Sequence, residues 1–103
     1  MSMLDDLIGE TITDGRRVQD YWQLRIGEAT LSIFNPIAVA GSVLGDIREI
    51  QGRRLLHVDE NDSAITLVFD GGVSARVDLT GNHQVGPEAM VLSRQDGSEV
   101  VWR

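Results

Sequence analysis

The stretch from Ser63 to Leu79 constrains this chain most. Ile65, Leu67 and Phe69 alternate with Thr66 and Val68, and Asp70-Gly71-Gly72 follows. Val73, Ala75, Val77 and Leu79 then alternate with Ser74, Arg76 and Asp78. Period-two alternation on both sides of a Gly-rich turn predicts a strand, a turn and a returning strand. Such a hairpin is marginal alone, so the rest of the chain must supply a sheet and a cover for its apolar face.

The flanking segments repeat this plan. Trp22, Leu24 and Ile26 share one face of a strand over Tyr21–Ile26, with Tyr21, Gln23 and Arg25 on the other. Gly27-Glu28 reads as a two-residue reversal starting with Gly, as a type II′ turn does. Ala29, Leu31 and Ile33 then alternate with Thr30, Ser32 and Phe34, until Asn35-Pro36 ends the ladder. Further strands are expected over Arg16–Asp20, Arg53–Val58, Ala89–Ser93 and Glu99–Arg103. Turns are expected at Asp14-Gly15, Gln51-Gly52 and Asp96-Gly97. Asp46–Ile50 reads as extended, Asp59–Asp62 as a polar loop, and Thr80–Pro87 as a longer loop.

Ser2–Ile8 reads as a short helix, with Ser2 as cap and Gly9 as stop. Ile37–Leu44 fits either a helix face or a buried strand, because Gly41 and Gly45 weaken the helix. Trp22 and Trp102 are expected as core anchors. Tyr21 and Phe34 fall opposite Trp22 and Ile33, on a second face expected to be covered rather than open.

These elements predict one all-β domain over residues 1–103. It would hold about six to eight mostly antiparallel strands, closed as a barrel-like roll or a two-sheet sandwich, with at most one or two short helices. An internal repeat of two units, about 7–36 and 43–72, is also legible. Leu7-Ile8-Gly9-Glu10 parallels Val43-Leu44-Gly45-Asp46, and Gly15-Arg16-Arg17-Val18 parallels Gly52-Arg53-Arg54-Leu55. Two such units would cover each other's apolar faces.

Composition narrows function chiefly by exclusion. Sixteen acids against nine bases give a formal net charge of −7. This argues against nucleic acid and anionic membrane, which need a basic footprint. Cysteine is absent, which removes thiol catalysis and thiolate metal sites. No apolar run reaches the ~18 residues of a membrane helix. Met1–Glu10 carries three acids and no basic start, unlike a signal peptide, so a cytoplasmic location is expected.

Several constellations invite chemistry and resolve toward structure. The pairs Arg16-Arg17 and Arg53-Arg54 resemble anion clamps, but neighbouring strand residues point to opposite faces. Asp59–Asp70 has the length of a calcium loop, yet Ala64 and Asp70 stand where Gly and Glu are needed. His57 falls on the polar face of its strand. His83 lies in a Gly-flanked loop with Asn82 and Gln84 and has no nucleophile or base spaced to act with it. Catalytic residues, metal ligands and cofactors are therefore not expected. The acidic run Asp59, Glu60 and Asp62 is the candidate binding surface for a protein partner.

The strand from Tyr21-Trp22-Gln23-Leu24 to Asn35-Pro36, with Gly86-Pro87-Glu88-Ala89-Met90-Val91-Leu92 and the closing Trp102, resembles small uncharacterised bacterial β domains. The resemblance covers most of the chain through structural motifs. It implies a stand-alone bacterial β domain without an activity. Some small acidic proteins of this kind are similar to immunity proteins that neutralise toxins. The expected function is therefore a non-enzymatic acidic protein-binding domain, such as an immunity-type inhibitor of a basic toxin. The alternatives are a self-associating structural domain using Tyr21 and Phe34, or a small-ligand binder using Asn82–Gln84.

Overall fold

Nine strands form in the computed structural model, which describes residues 4–19, 21–41, 47–80 and 89–102. In chain order they are β1 (Ile12–Val18), β2 (Tyr21–Ile26), β3 (Ala29–Ile33), β4 (Ile37–Ala40), β5 (Leu55–Glu60), β6 (Ala64–Phe69), β7 (Ser74–Asp78), β8 (Met90–Ser93) and β9 (Glu99–Trp102). They make two antiparallel sheets, one ordered β1-β2-β3-β8-β9 and the other β4-β7-β6-β5. The all-β class holds, the sandwich alternative describes the layers, and the strand count exceeds the expected range by one.

The alternation read from the sequence is what builds the core. Leu24, Ile26, Leu31, Ile33, Met90 and Leu92 line the inner face of the five-stranded sheet. Val58, Ile65, Leu67, Phe69, Ala75 and Val77 line that of the four-stranded sheet, and the two sets form one cluster. At about 25 cal/mol per Å² of buried apolar surface, this shared layer is the main stabilising term. Trp102 is buried in it, while Trp22 is half-buried and packs against its edge.

The two sheets are also stitched at one corner, in the manner of a barrel. Gly9 N donates to Leu55 O (2.7 Å), Leu55 N to Glu10 O (2.9 Å), and Ile12 N to Arg53 O (2.8 Å). These bonds give the start of β5 a backbone partner from the opposite sheet.

Four sequence expectations need correction. Asp14-Gly15 is not a turn: both residues lie inside β1, where the register against β2 shifts between Ile12 and Asp14. A bulge on an edge strand uses the same Asp and Gly that favour turns. The strand expected at Arg16–Asp20 accordingly begins earlier, at Ile12, and its described part ends at Val18. Ile47–Ile50 is a 3₁₀ turn rather than extended, with Ile50 fully buried. Asp59 and Glu60 are not in a loop but complete β5, and only Asn61–Ser63 turn the chain.

The helix expected over Ser2–Ile8 is a 3₁₀ turn at Asp5–Leu7, with Leu4 and not a polar side chain at its start. Ser2 and the loop residues Asn82, His83 and Gln84 lie outside the described residues, as do Ser42–Asp46. The ambiguous stretch Ile37–Leu44 is a strand as far as Ala40.

Candidate functional site

The three residues of the acidic run, Asp59, Glu60 and Asp62, are all exposed, but they point in different directions. Asp59 stands level with Thr66, on the outer face of the four-stranded sheet. Glu60, its neighbour, is level with the buried Ile65 and has its carboxylate committed. The indole Nε1–H of Trp102 donates to Glu60 Oε2 at 3.0 Å. This bond joins β9 of one sheet to the end of β5 in the other. Asp62 is exposed in the turn, where Asn61 does the structural work. Asn61 Oδ1 accepts from Ser63 N (2.8 Å), Ser63 Oγ (2.8 Å) and Ala64 N (3.0 Å).

The arginine pairs are likewise used locally. Arg16 pairs with Asp14 two residues away. Arg17 donates to Gln19 O at 3.2 Å and lies 5.9 Å from the Trp22 ring centroid, within cation–π range. Arg53 donates from Nε to Glu49 O (3.0 Å) and from Nη1 to Asp70 O (3.2 Å). It thereby ties the 3₁₀ turn before β5 to the turn after β6. Arg16, Arg17 and Arg53 are thereby held in contacts within the fold.

A different acidic surface is built by three segments distant in sequence. The 3₁₀ turn at Asp5–Leu7, the β2–β3 reversal and the β8–β9 turn border an open groove of about 550 Å³. Leu7 and Ala29 contribute its apolar lining, and Glu10, Glu28 and Asp96 its carboxylates. Arg94, which also lines it, is paired with Asp6, and this hydrogen bond raises its pKa. Asp96 is held below the usual carboxylate range by hydrogen bonds from Ser98 Oγ (2.7 Å) and Ser98 N (2.9 Å).

Gly27 shapes this groove in two ways. Its φ of +57° suits the reversal, and a Cβ there would lie 2.5 Å from Glu10 Oε2. Sequence spacing gave no hint of the groove, because Glu10, Glu28 and Asp96 converge only through the strand order.

Tyr21 and Phe34 meet on the outer face of the five-stranded sheet, with ring centroids 4.8 Å apart and planes tilted by 45°. Both are half-buried rather than covered, and Val101, on the same face but two strands away from β3, is exposed. The expectation that this face is covered is thus met only in part. Among the described residues, no cluster of three or more His, Asp or Glu side chains is arranged to hold a metal ion. No helix there is long and apolar enough to cross a membrane.

Comparison with protein-family models, with curated proteins and with solved structures finds no match for this chain.

Proposed function

We propose that this chain is a non-enzymatic protein-binding domain that meets a basic partner through its acidic groove, in the manner of an immunity-type inhibitor. The observation that carries this reading is the convergence of Glu10, Glu28 and Asp96 around the apolar Leu7 and Ala29. Such a surface suits a lysine or arginine, whose stem packs on apolar atoms while its head meets carboxylates. The net charge of −7 adds long-range attraction, which speeds encounter with a basic protein.

The test is a pair of charge variants assayed against a purified basic partner captured at low salt. Glu28→Lys with Asp96→Asn is expected to weaken binding at least tenfold. Asp59→Lys with Asp62→Lys is expected to change it less than twofold. The reverse ranking would return the site to the acidic run at Asp59–Asp62, and no effect from either pair would remove the acidic-groove reading.

A second reading, self-association, draws on the half-exposed stack of Tyr21 on Phe34. Sedimentation at high protein concentration decides it: a monomeric mass eliminates that reading.

A further inference from the structure

Edge strands expose rows of unpaired backbone groups, and proteins normally guard them with charges, bulges or covers. Three of the four edges among the described strands are guarded by charge, a bulge or an anchored end. Strand β1 carries Asp14, Arg16, Arg17 and a bulge. Strand β5 is bulged between Leu55 and His57, ends in Asp59-Glu60, and is bonded at its start by residues 9 and 10. Strand β9 begins with Glu99 and ends in the anchored Trp102. Strand β4, Ile-Ala-Val-Ala, is guarded only by its four-residue length and the preceding Pro36: it has no charge, and its register with β7 is unbroken.

The hydrogen-bond phase of β4 follows from one bond. Asp78 N donates to Pro36 O (3.1 Å), which makes residues 36, 38 and 40 the positions bonded to β7. The N–H and C=O groups of Ile37 and Val39 therefore point away from the sheet, and among the described residues nothing bonds them. Both side chains are half-buried against the core, with their outer flanks open.

A groove of about 420 Å³ lies at the end of the sheet where β4 begins, lined by Pro36, Ile37 and Ala38 on β4's side and by Arg76, Asp78, Thr80 and Ser63 across from them. Arg76 stands level with Ala38 on the outer face of the sheet. Among the described residues it has no ion pair or hydrogen bond through its side chain. The neighbouring Asp78 carboxylate is engaged by Thr80 N (2.8 Å) and Thr80 Oγ1 (2.7 Å). Ala38 is too small to fill the space between Arg76 and the open edge.

We propose that β4 is a docking edge for an extended segment of another protein, with the pattern apolar–acidic–apolar, which adds as a fifth strand to the four-stranded sheet. The backbone groups of Ile37 and Val39 supply the pairing, as in strand addition generally. The two apolar residues cover the open flanks of Ile37 and Val39. The acidic residue between them, level with Ala38, faces Arg76 across a small side chain. Local charge complementarity selects this occupant over a second copy of β4, which would bring only alanine to Arg76. This edge is separate from the acidic groove and does not depend on what that groove binds.

The probe is the synthetic peptide acetyl-Thr-Thr-Val-Glu-Val-Thr-Thr-amide, with a twin carrying Lys in place of Glu, titrated into the full chain and followed by amide NMR. The Glu peptide is expected to shift the Ile37 and Val39 amides and slow their hydrogen exchange at least tenfold at saturation. It should bind about threefold tighter than the Lys peptide, the scale of one exposed ion pair. Arg76→Glu is expected to invert that preference, and Val39→Pro, which removes an outward N–H and spares the ladder to β7 but trims a side chain that packs on the core, to abolish binding of either peptide while the chain stays folded by its amide spectrum. Shifts located elsewhere, equal affinity for the two peptides, or an unchanged preference in Arg76→Glu would overturn the proposal. So would a concentration-dependent dimer abolished by Val39→Pro, because the occupant would then be a second copy.

Discussion

The four-stranded sheet has two edges, and they are finished in opposite ways. Strand β5 is bulged, charged, bonded to residues 9 and 10 at its start, and held by the Trp102 indole at its end. Strand β4 is regular and uncharged, and the Ile37 and Val39 backbone groups have no partner among the described residues. The same sheet thus carries one edge built for closure and one built like a template. The two sheets of a sandwich meet through their faces, so each edge is finished separately.

The closed edge is the place to look for large losses. Trp102→Ala removes a buried anchor together with the bond to Glu60, and is expected to cost about 3–5 kcal/mol in chemical denaturation. A loss under about 1 kcal/mol would mean that β9 does not secure β5. Gly41→Ala tests how β4 is fixed at its far end. Gly41 has φ +81°, and a Cβ there would lie 2.1 Å from the Gly72 carbonyl oxygen, a backbone atom that cannot step aside. The expected cost is about 1–3 kcal/mol. Wild-type stability in this variant would show that β4 is not seated where the register places it.

Trp102→Phe separates the hydrogen bond from the packing. Glu60 is exposed and regains water when the indole N–H is lost, so the cost should be about 1 kcal/mol. Ala38→Glu places an acidic charge on the open edge, level with the peptide's own carboxylate, and should change stability by less than about 0.5 kcal/mol, since the site is exposed. The same substitution is expected to block the acidic peptide. That combination, near-neutral for folding and adverse for docking, is what distinguishes an open edge from a closed one.

The smallest effect is a pH response at the β8–β9 turn. Hydrogen bonds from Ser98 lower the Asp96 pKa in the folded state. The contribution is therefore fully present above the unfolded value, about 3.9, and is lost as pH falls through the lower folded value. Ser98→Ala should move the Asp96 carboxyl titration upward, read by NMR. No movement would show that these bonds do not hold the carboxylate.

These regions also mark what the sequence disclosed. The hairpin from Ala64 to Asp78 was legible because its alternation is local and one face is fully buried. The distinction between its two edges was not, because it depends on which strand pairs with which. Asp14-Gly15 carries turn residues that the fold spends on a bulge. Glu60 belonged on composition to an acidic run, yet its partner is Trp102, 42 positions away. Glu10, Glu28 and Asp96 had no shared signal, because only the order β1-β2-β3-β8-β9 brings their turns to one end. Asn35 shows the same limit. It reads as a turn residue, but it is buried at 3% exposure, and its Nδ2 donates to Asp78 O where the chain passes between sheets.

The most direct test of this account is native-state hydrogen exchange along β4, without any partner. The phase of its ladder predicts alternation: the Ala38 and Ala40 amides protected by their bonds to β7, and the Ile37 and Val39 amides exchanging near the rate of an open chain. Uniform protection from Ile37 to Ala40 would contradict it, because the outer edge would then already be paired.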